Sequence, residues 1–445
     1  MIIIEKLRKQ AVPKRTSFPE KSIGIIDFYH SDLYDDQYPH FWHCKPQRLR
    51  ERAEKYLRDN GILLAQHRGV HGVSPWEIEQ FEAEMSSRYG DSAQIIYDVD
   101  VDDLITLPPR LVRMIGSRWL LFSDLTEGRV WTTKSSEVFN DQILGKMGIN
   151  GNRSFMLNCN LCVRESTDLM ITGTHLLPWA NSFSGITSTH WTVEHIFEDL
   201  QAHLDLIDQS YSQEPKYHFL SFNGKPRMPR LQFLSRAWQR GLLDQALWSF
   251  GYFPESVERK PDQYIGIGHR KLSQDILQIN DHQDFLNSYT WPKMLLADTL
   301  RLDLVFATSL DLIGKANWEV VIETTVAKTD DPLGSTRQIV MITEKFYKAI
   351  ILGNPVIPIG WQGCHRDIEH AGYKLPDVDF DHLDETHWQD RLNGSLDLLE
   401  KPFDRKSFRD KALANIERLF DQDQLVRDVC EPLLHIREHP SFKAY

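Results

Sequence analysis

The stretch WEVVIETTVAKTDDPLGSTRQIVMITEKFYKAIILGNPVIPIG, residues 318–360, decides the fold of this chain. It begins with an apolar segment that ends at Glu323, and a long polar loop follows. Thr343 is then placed to cap a helix, and residues 355–359 form a second short apolar segment. Strand, loop, helix and strand in this order predict one βαβ unit of a doubly wound parallel sheet.

Three charged residues occupy the positions at which such a sheet binds its ligands, outside the carboxyl ends of its strands. Glu323 follows the first strand, and Glu344 and Lys345 lie in the first turn of the helix. We therefore expect all three side chains to face one crevice. Helix capping alone is an alternative reason for the Thr-Glu-Lys sequence, because Thr caps helices and Glu suits the positive end of the helix dipole.

This stretch resembles the donor-binding domain of the alpha-1,3-fucosyltransferases. In that family a strand ends in Glu, a polar loop follows, Thr-Glu-Lys opens a helix, and a Pro-Val pair lies between two glycines. The matching residues here are Glu323, Thr343, Glu344, Lys345, Gly353, Pro355, Val356 and Gly360. The family usually has Glu-Asn-Ser where this chain has Glu-Thr-Thr, a form similar to that of a wider group of bacterial and viral glycosyltransferases.

The resemblance implies a glycosyltransferase of the GT-B architecture, an α/β protein with two Rossmann-like domains and a C-terminal helix that crosses back to the first domain. It implies GDP-fucose as the donor, a hydroxyl of a glycan or glycoconjugate as the acceptor, and transfer with inversion. No cofactor and no metal would be required. Two alternatives stay open: a transferase that uses a UDP- or CMP-linked sugar, and a non-catalytic sugar- or protein-binding module that has kept the fold.

Length, composition and charge favour a globular protein of two or more domains. The chain has 445 residues, of which 41% are hydrophobic and 26% charged. Its net charge of −12 disfavours nucleic acid as the main partner, although a local basic cleft for a phosphate remains compatible with it. No window approaches the roughly 20 apolar residues of a membrane-spanning helix, and the five cysteines are scattered. We therefore expect no integral membrane segment and a cytoplasmic location.

We expect three segments along the chain. An apolar stripe marks a helix over residues 190–209, which we expect to close the first domain, with a hinge at 209–216. Residues 1–212 are predicted to form an acceptor-binding domain, and residues 213–404 a nucleotide-sugar-binding domain. Residues 405–445 are predicted to form C-terminal helices that pack back toward the first domain.

A cationic turn follows the first predicted strand of the second domain. The polar and basic residues there are Asn223, Lys225, Arg227 and Arg230. Free N–H groups at a helix N-terminus and nearby guanidinium groups attract a diphosphate. An exposed basic turn is the alternative interpretation. The resemblance implies that either Arg227 or Arg230 is the arginine that holds the nucleotide diphosphate, since the family places one in this loop.

Two carboxylates lie at the end of a predicted strand in the first domain, WLLFSD, residues 119–124. They are Asp124 and Glu127. If this strand belongs to the N-terminal sheet, they face the cleft between the domains. Inverting transfer needs a carboxylate that takes the proton of the acceptor hydroxyl, and either residue is a candidate. We favour Glu127, because Asp124 is equally suited to capping the turn.

The remaining roles in the reaction fall to residues named above. Lys345, with Arg227 or Arg230, would stabilise the leaving diphosphate. Glu323 and Glu344 would fix the ribose and the sugar hydroxyls.

Three other patterns are less specific. The segment YDVDVDDL, residues 97–104, favours a half-exposed strand end over a metal site. Cys159 and Cys162 form a lone Cys-x-x-C, which we interpret as buried strand cysteines. The aromatic and acidic segment 28–44 either lines an acceptor pocket or forms a surface loop.

Overall fold

The computed structural model describes the chain most fully over residues 199–223, 227–251, 281–291, 312–323, 344–385 and 387–424. Before residue 199 it describes six strands, the segment 55–60 and scattered single positions. The segment 29–44, Asp102, Cys159 and Cys162 lie outside the described residues.

The chain divides into two compact units. The first comprises Met1–Ala180 with Gln422–Tyr445, and the second comprises Asn181–Asp421. The sequence analysis placed its divisions at residues 212 and 405, and the domain roles that it assigned stay predictions. Within the first unit, the Arg52 guanidinium donates hydrogen bonds to the side chains of Gln422 (2.6 Å) and Asp423 (2.5 Å).

The described strands of the first unit form one parallel sheet. They are β1 (Ile23–Phe28), β2 (Ile62–Gln66), β3 (Gln94–Asp100), β4 (Trp119–Asp124), β5 (Ser154–Asn158) and β6 (Met170–Gly173). Their order in the sheet is β2-β1-β3-β4-β5-β6, and every neighbouring pair is parallel. The direction of winding reverses between β1 and β3, as in a doubly wound sheet. Asp98 and Asp100 belong to β3, in agreement with the strand predicted there.

The described strands of the second unit form a separate parallel sheet. They are β7 (Tyr217–Asn223), β8 (Ala246–Phe250), β9 (Ala316–Ile322) and β10 (Val356–Ile359), in the order β10-β9-β7-β8. The described helices of this unit are α1 (Leu200–Ser210), α2 (Met228–Gln239), α3 (Gln283–Asn287), α4 (Glu344–Leu352), α5 (Cys364–His370), α6 (Trp388–Leu399) and α7 (Arg409–Phe420). Short 3-10 turns lie at Leu242–Gln245, Asp381–Asp384 and Arg405–Phe408. The α/β fold class is confirmed.

The predicted βαβ unit is present as β9, α4 and β10. Every residue of β10 is buried, and so is each residue of β9 from Trp318 onward. Parallel strands that are covered on both faces consist of such continuous apolar runs, which is why the sequence revealed them. α4 ends at Leu352, and Gly353 adopts a left-handed φ of 63° beyond it. The chain then turns directly into β10, which pairs with β9 in parallel.

The helix that was predicted to close the first domain packs in the second unit. The Tyr211 hydroxyl, just past α1, donates a hydrogen bond to the Gly353 carbonyl across 2.6 Å. The Arg405 guanidinium lies 4.0 Å from the Tyr211 ring centroid and donates to the Ser210 carbonyl across 3.1 Å. An apolar stripe predicts that a helix buries one face, but it does not identify the partner. Here the partners are the residue after α4, the segment before α7, and α7 itself, whose Phe420 ring lies edge-on to His203. No helix in the described part of the chain is both long and apolar enough to cross a membrane.

Candidate functional site

The sheet of the second unit has its switch point between β7 and β9. These two strands are neighbours, while β8 lies outside β7 and β10 lies outside β9. In doubly wound sheets, ligands bind at such a switch point, outside the carboxyl ends of the strands. Asn223 is the last residue of β7, and Glu323 directly follows β9. Topology alone thus brings these two predicted residues to neighbouring strand ends.

Asn223 holds the carboxyl ends of β7 and β8 together. Its backbone N–H donates to the Ser249 hydroxyl across 3.0 Å, and its side-chain amide donates to the Ser221 hydroxyl across 2.9 Å. The residue is buried. These bonds give Asn223 a structural role, and its contact with a donor stays a prediction.

Glu323 and Lys345 meet at the end of β9. The Lys345 ammonium lies 3.7 Å from Oε2 of Glu323, and α4 places Lys345 there from its first turn. The Glu323 side chain is 6% exposed, whereas that of Lys345 is 20% exposed. Glu323 and Lys345 thus lie side by side, and the lysine is the more accessible of the two.

Two arginines approach the same strand ends from α2. Arg227 is the residue that precedes this helix, with an extended backbone, and Pro229 lies in the first turn. Arg230 is 2% exposed, and its Nη2 donates to the carbonyl of Ile322 across 3.4 Å. Arg230 therefore reaches from the helix that follows β7 to the last residue of β9. Arg227 is half-buried and remains the more accessible arginine.

The other predicted site residues are described in part or not at all. Lys225, Thr343 and Glu127 lie outside the described residues. Asp124 ends β4 and Glu344 begins α4, and only their backbones are described. The roles of these five residues stay predictions.

A buried polar pair that joins β9 to the turn before β10 escaped the sequence analysis. Glu319 is 3% exposed and accepts a hydrogen bond from the side-chain amide of Asn354 across 3.0 Å. Burial raises the pKa of Glu319 to about 7, while the Asn354 hydrogen bond and the charge of Lys348 lower it in part. The signal was present in the sequence as a carboxylate between Trp318 and Val320, in a strand that is otherwise largely apolar.

The arrangement is suited to binding a phosphorylated ligand. A lysine in the first turn of one helix and an arginine at the start of another flank the strand ends, and both helix N-termini add partial positive charge. Among the described residues, no group of three or more His, Cys, Asp and Glu side chains is placed to hold a metal ion.

Comparisons with known proteins give little support beyond this geometry. No protein-family model matches the chain, and no curated protein matches it in sequence. Among solved structures it is similar to one described as the crystal structure of alpha1,3-fucosyltransferase with GDP. That match covers 94% of this chain and 95% of the other, at 10% sequence identity and a TM-score of 0.35. A TM-score and an identity this low assign neither a fold nor a function.

Proposed function

We propose that this chain is a glycosyltransferase that binds a nucleotide sugar, with GDP-fucose as the preferred donor, at the carboxyl ends of β7 and β9. The observation that carries the proposal is the placement of Lys345 beside Glu323 at the switch point of the second sheet. In a doubly wound sheet this is the position of the ligand crevice. The order of residues around it also matches the donor-domain motif of the alpha-1,3-fucosyltransferases.

The chemistry of sugar transfer explains why cations are needed there. When the bond between the anomeric carbon and the diphosphate breaks, negative charge grows on the leaving phosphate oxygens. Lys345 and Arg227 stabilise this charge, because fixed cations in a partly desolvated site act more strongly than water does. The N-termini of α4 and α2 contribute further positive potential.

The acceptor side of the reaction belongs to the first unit. We assign the general base to Glu127, with Asp124 as the second candidate, because Asp124 ends β4 of that unit's parallel sheet and Glu127 comes three residues later in the sequence. The base takes the proton of a glycan hydroxyl as the oxygen attacks the anomeric carbon from the side opposite the diphosphate. The configuration at that carbon is thereby inverted.

A panel of nucleotides tests the donor assignment. GDP, GDP-fucose, GDP-mannose, UDP-glucose and CMP-sialic acid would be screened by thermal shift, since a ligand at 100 times its dissociation constant adds about 2.7 kcal/mol of stability. The affinities for the ligands that bind would then be measured by calorimetry. We expect GDP and GDP-fucose to bind best.

Two lysine variants make this test specific to the site. Lys345→Ala should weaken GDP binding by about 10- to 150-fold, the equivalent of one charge-assisted hydrogen bond of roughly 1.5–3 kcal/mol. Lys401→Ala, which removes an exposed lysine after α6, should leave the affinity unchanged. The proposal is overturned if the wild type binds no nucleotide, or if Lys345→Ala binds every nucleotide as the wild type does. Binding without sugar transfer to any acceptor would identify a non-catalytic module.

A further inference from the structure

The backbone that leads to Glu323 is fixed by the sheet. The N–H of Glu323 donates to the Ile359 carbonyl across 2.9 Å, which extends the pairing of β9 with β10 by one residue. At the other end of that pairing, the N–H of Glu319 donates to the Pro355 carbonyl across 2.8 Å. The Glu323 side chain therefore starts from a rigid point, unlike a residue on a loop.

Several apolar residues lie near the Glu323 side chain. A cavity of about 10 Å³ adjoins it, no larger than one water molecule needs. Its other lining residues are Val321, Ile342, Phe346, Pro358, Gly360, Trp361, Cys364 and Ile368. A side chain that is only 6% exposed in such surroundings has little room to reach a ribose or a sugar ring.

A buried carboxylate needs a nearby cation or hydrogen-bond donors, because its desolvation is otherwise unfavourable. The Lys345 ammonium, 3.7 Å away, supplies positive charge. Lys345 is also more exposed than Glu323, so its ammonium can face the crevice while it remains close to the carboxylate. A lysine side chain has four rotatable bonds, and a fixed carboxylate beside it reduces the entropy that is lost when it binds a phosphate.

We infer that Glu323 is a positioning residue, which holds the Lys345 ammonium toward the diphosphate of the donor and does not itself contact the ribose or the sugar. This inference rests on the proposed function and deepens it. It replaces the ribose- and sugar-binding role that the sequence analysis gave to Glu323. When the diphosphate binds, its oxygens contact the Lys345 ammonium while the Glu323 carboxylate stays beside it. The lysine is therefore charged and oriented in both the free and the bound protein.

A double-mutant cycle separates this role from direct contact with the ligand. The four proteins are the wild type, Glu323→Gln, Lys345→Ala and the double variant, and the probe is GDP, measured by calorimetry. If Glu323 acts through Lys345, Glu323→Gln weakens GDP binding about 3- to 10-fold in the wild type. In the Lys345→Ala background it should then change the affinity by less than about twofold. Effects that multiply in the double variant would overturn the inference.

GMP provides a second readout that a merely structural role would not move. GMP has the same base and ribose as GDP but lacks the β-phosphate. We expect Glu323→Gln to reduce the ratio of GDP to GMP affinity, because the lost orientation of Lys345 concerns the diphosphate. An equal loss for both nucleotides would indicate contact with the ribose or a general distortion, and would also overturn the inference.

The charge-conserving variant Glu323→Asp keeps the test decisive if Glu323→Gln does not fold. It shortens the side chain and draws the carboxylate away from the Lys345 ammonium. The expected result is the same selective loss of GDP affinity over GMP affinity. Failure of the proposed function looks different, because then the wild type does not bind GDP or Lys345→Ala leaves GDP affinity unchanged.

Discussion

The side-chain amide of Asn354 donates a hydrogen bond to the buried carboxyl group of Glu319 across 3.0 Å. Glu319 lies in the middle of β9, and Asn354 lies between α4 and β10, so the bond joins the strand to the turn that follows its partner helix. The amide nitrogen makes this bond, and within the described part of the chain the amide oxygen of Asn354 has no hydrogen-bond partner. A protonated Glu319 can donate to that oxygen, and the two side chains then form a pair with two hydrogen bonds.

This pair predicts that stability falls as the pH rises toward neutrality. Burial raises the pKa of Glu319 from 4.5 to about 7 in the folded chain. Between these values the folded state binds more protons than the unfolded state, so the contribution of Glu319 to the free energy of unfolding decreases with rising pH. The decrease is of the order of 3 kcal/mol in total, since one pKa unit corresponds to about 1.4 kcal/mol. Glu319→Gln should remove this dependence while it keeps the amide contact.

Urea unfolding of both proteins at about pH 5 and about pH 8 measures the effect. For each pH, the urea midpoint of the wild type is subtracted from that of Glu319→Gln. This difference should be larger at about pH 8 than at about pH 5. Glu417→Gln, an identical substitution at an exposed position of α7, should show no such change. A difference between Glu319→Gln and the wild type that is the same at both pH values would contradict the protonated pair.

Gly353 is predicted to tolerate no side chain. A Cβ there would lie 2.7 Å from Cγ2 of Ile207 in α1, and the φ of 63° adds conformational strain. Gly241 has a similar φ of 70° with nothing within 4 Å of its Cβ position, so Gly241→Ala measures the strain alone. We expect about 1 kcal/mol of destabilisation for Gly241→Ala and about 2–4 kcal/mol for Gly353→Ala.

If the Ile207 side chain is shortened, the Cβ added by Gly353→Ala no longer clashes with it, and Gly353→Ala should then lower the free energy of unfolding by less. In the background of Ile207→Ala, the further substitution Gly353→Ala should be no more destabilising than Gly241→Ala. Urea unfolding of the wild type, the three single variants and the double variant provides the measurement. If Gly353→Ala and Gly241→Ala have equal effects in the wild-type background, α1 does not pack on Gly353 as the structure shows.

Gly353 also shows that a residue of a family motif can have a structural role. It is one of the residues that carry the resemblance to the fucosyltransferases, yet its conformation and its contact with Ile207 give it a purely structural reason. The strands before and after α4, β9 and β10, were predictable because continuous apolar runs identify buried parallel strands. The meeting of Glu323 and Lys345 was predictable because the topology of a βαβ unit fixes it.

Features that depend on distant contacts were not predictable. The stripe on α1 does not show that Tyr211 bonds to Gly353, which lies 142 positions along the chain. The burial of Arg230 was also hidden, because its contact with the carbonyl of Ile322 forms only when β7 and β9 become neighbours. A sequence reveals which residues are charged, but the sheet order decides which of those charges are buried.

The general base can be tested by its effect on the rate alone. Glu127→Gln should lower the rate of transfer about 100- to 10,000-fold, the usual contribution of a general base, while GDP binding is kept. Asp124→Asn should have a small effect if Asp124 only caps the turn after β4. The assay is release of GDP from GDP-fucose in the presence of a glycan acceptor. If neither variant slows transfer while the donor still binds, the base lies elsewhere in the chain.

The two arginines near the strand ends should have different roles. Arg227 precedes α2 and is half-buried, whereas Arg230 is 2% exposed and bonds to the Ile322 carbonyl across 3.4 Å. We therefore expect Arg227→Ala to weaken GDP binding by roughly 1.5–3 kcal/mol with little change in stability. Arg230→Ala should instead lower the free energy of unfolding by about 2–4 kcal/mol, because it leaves a buried void and a carbonyl without this donor.

Calorimetry with GDP and urea unfolding of each variant distinguish the two roles. Arg240→Ala is the matched control, since Arg240 lies at the opposite end of α2 and forms a surface ion pair with Asp397 at 2.6 Å. Arg240→Ala should leave the GDP affinity unchanged, and it should change the free energy of unfolding by no more than about 1 kcal/mol. The assignment is reversed if Arg230→Ala folds with wild-type stability but no longer binds GDP, because the buried arginine would then be the one that meets the diphosphate.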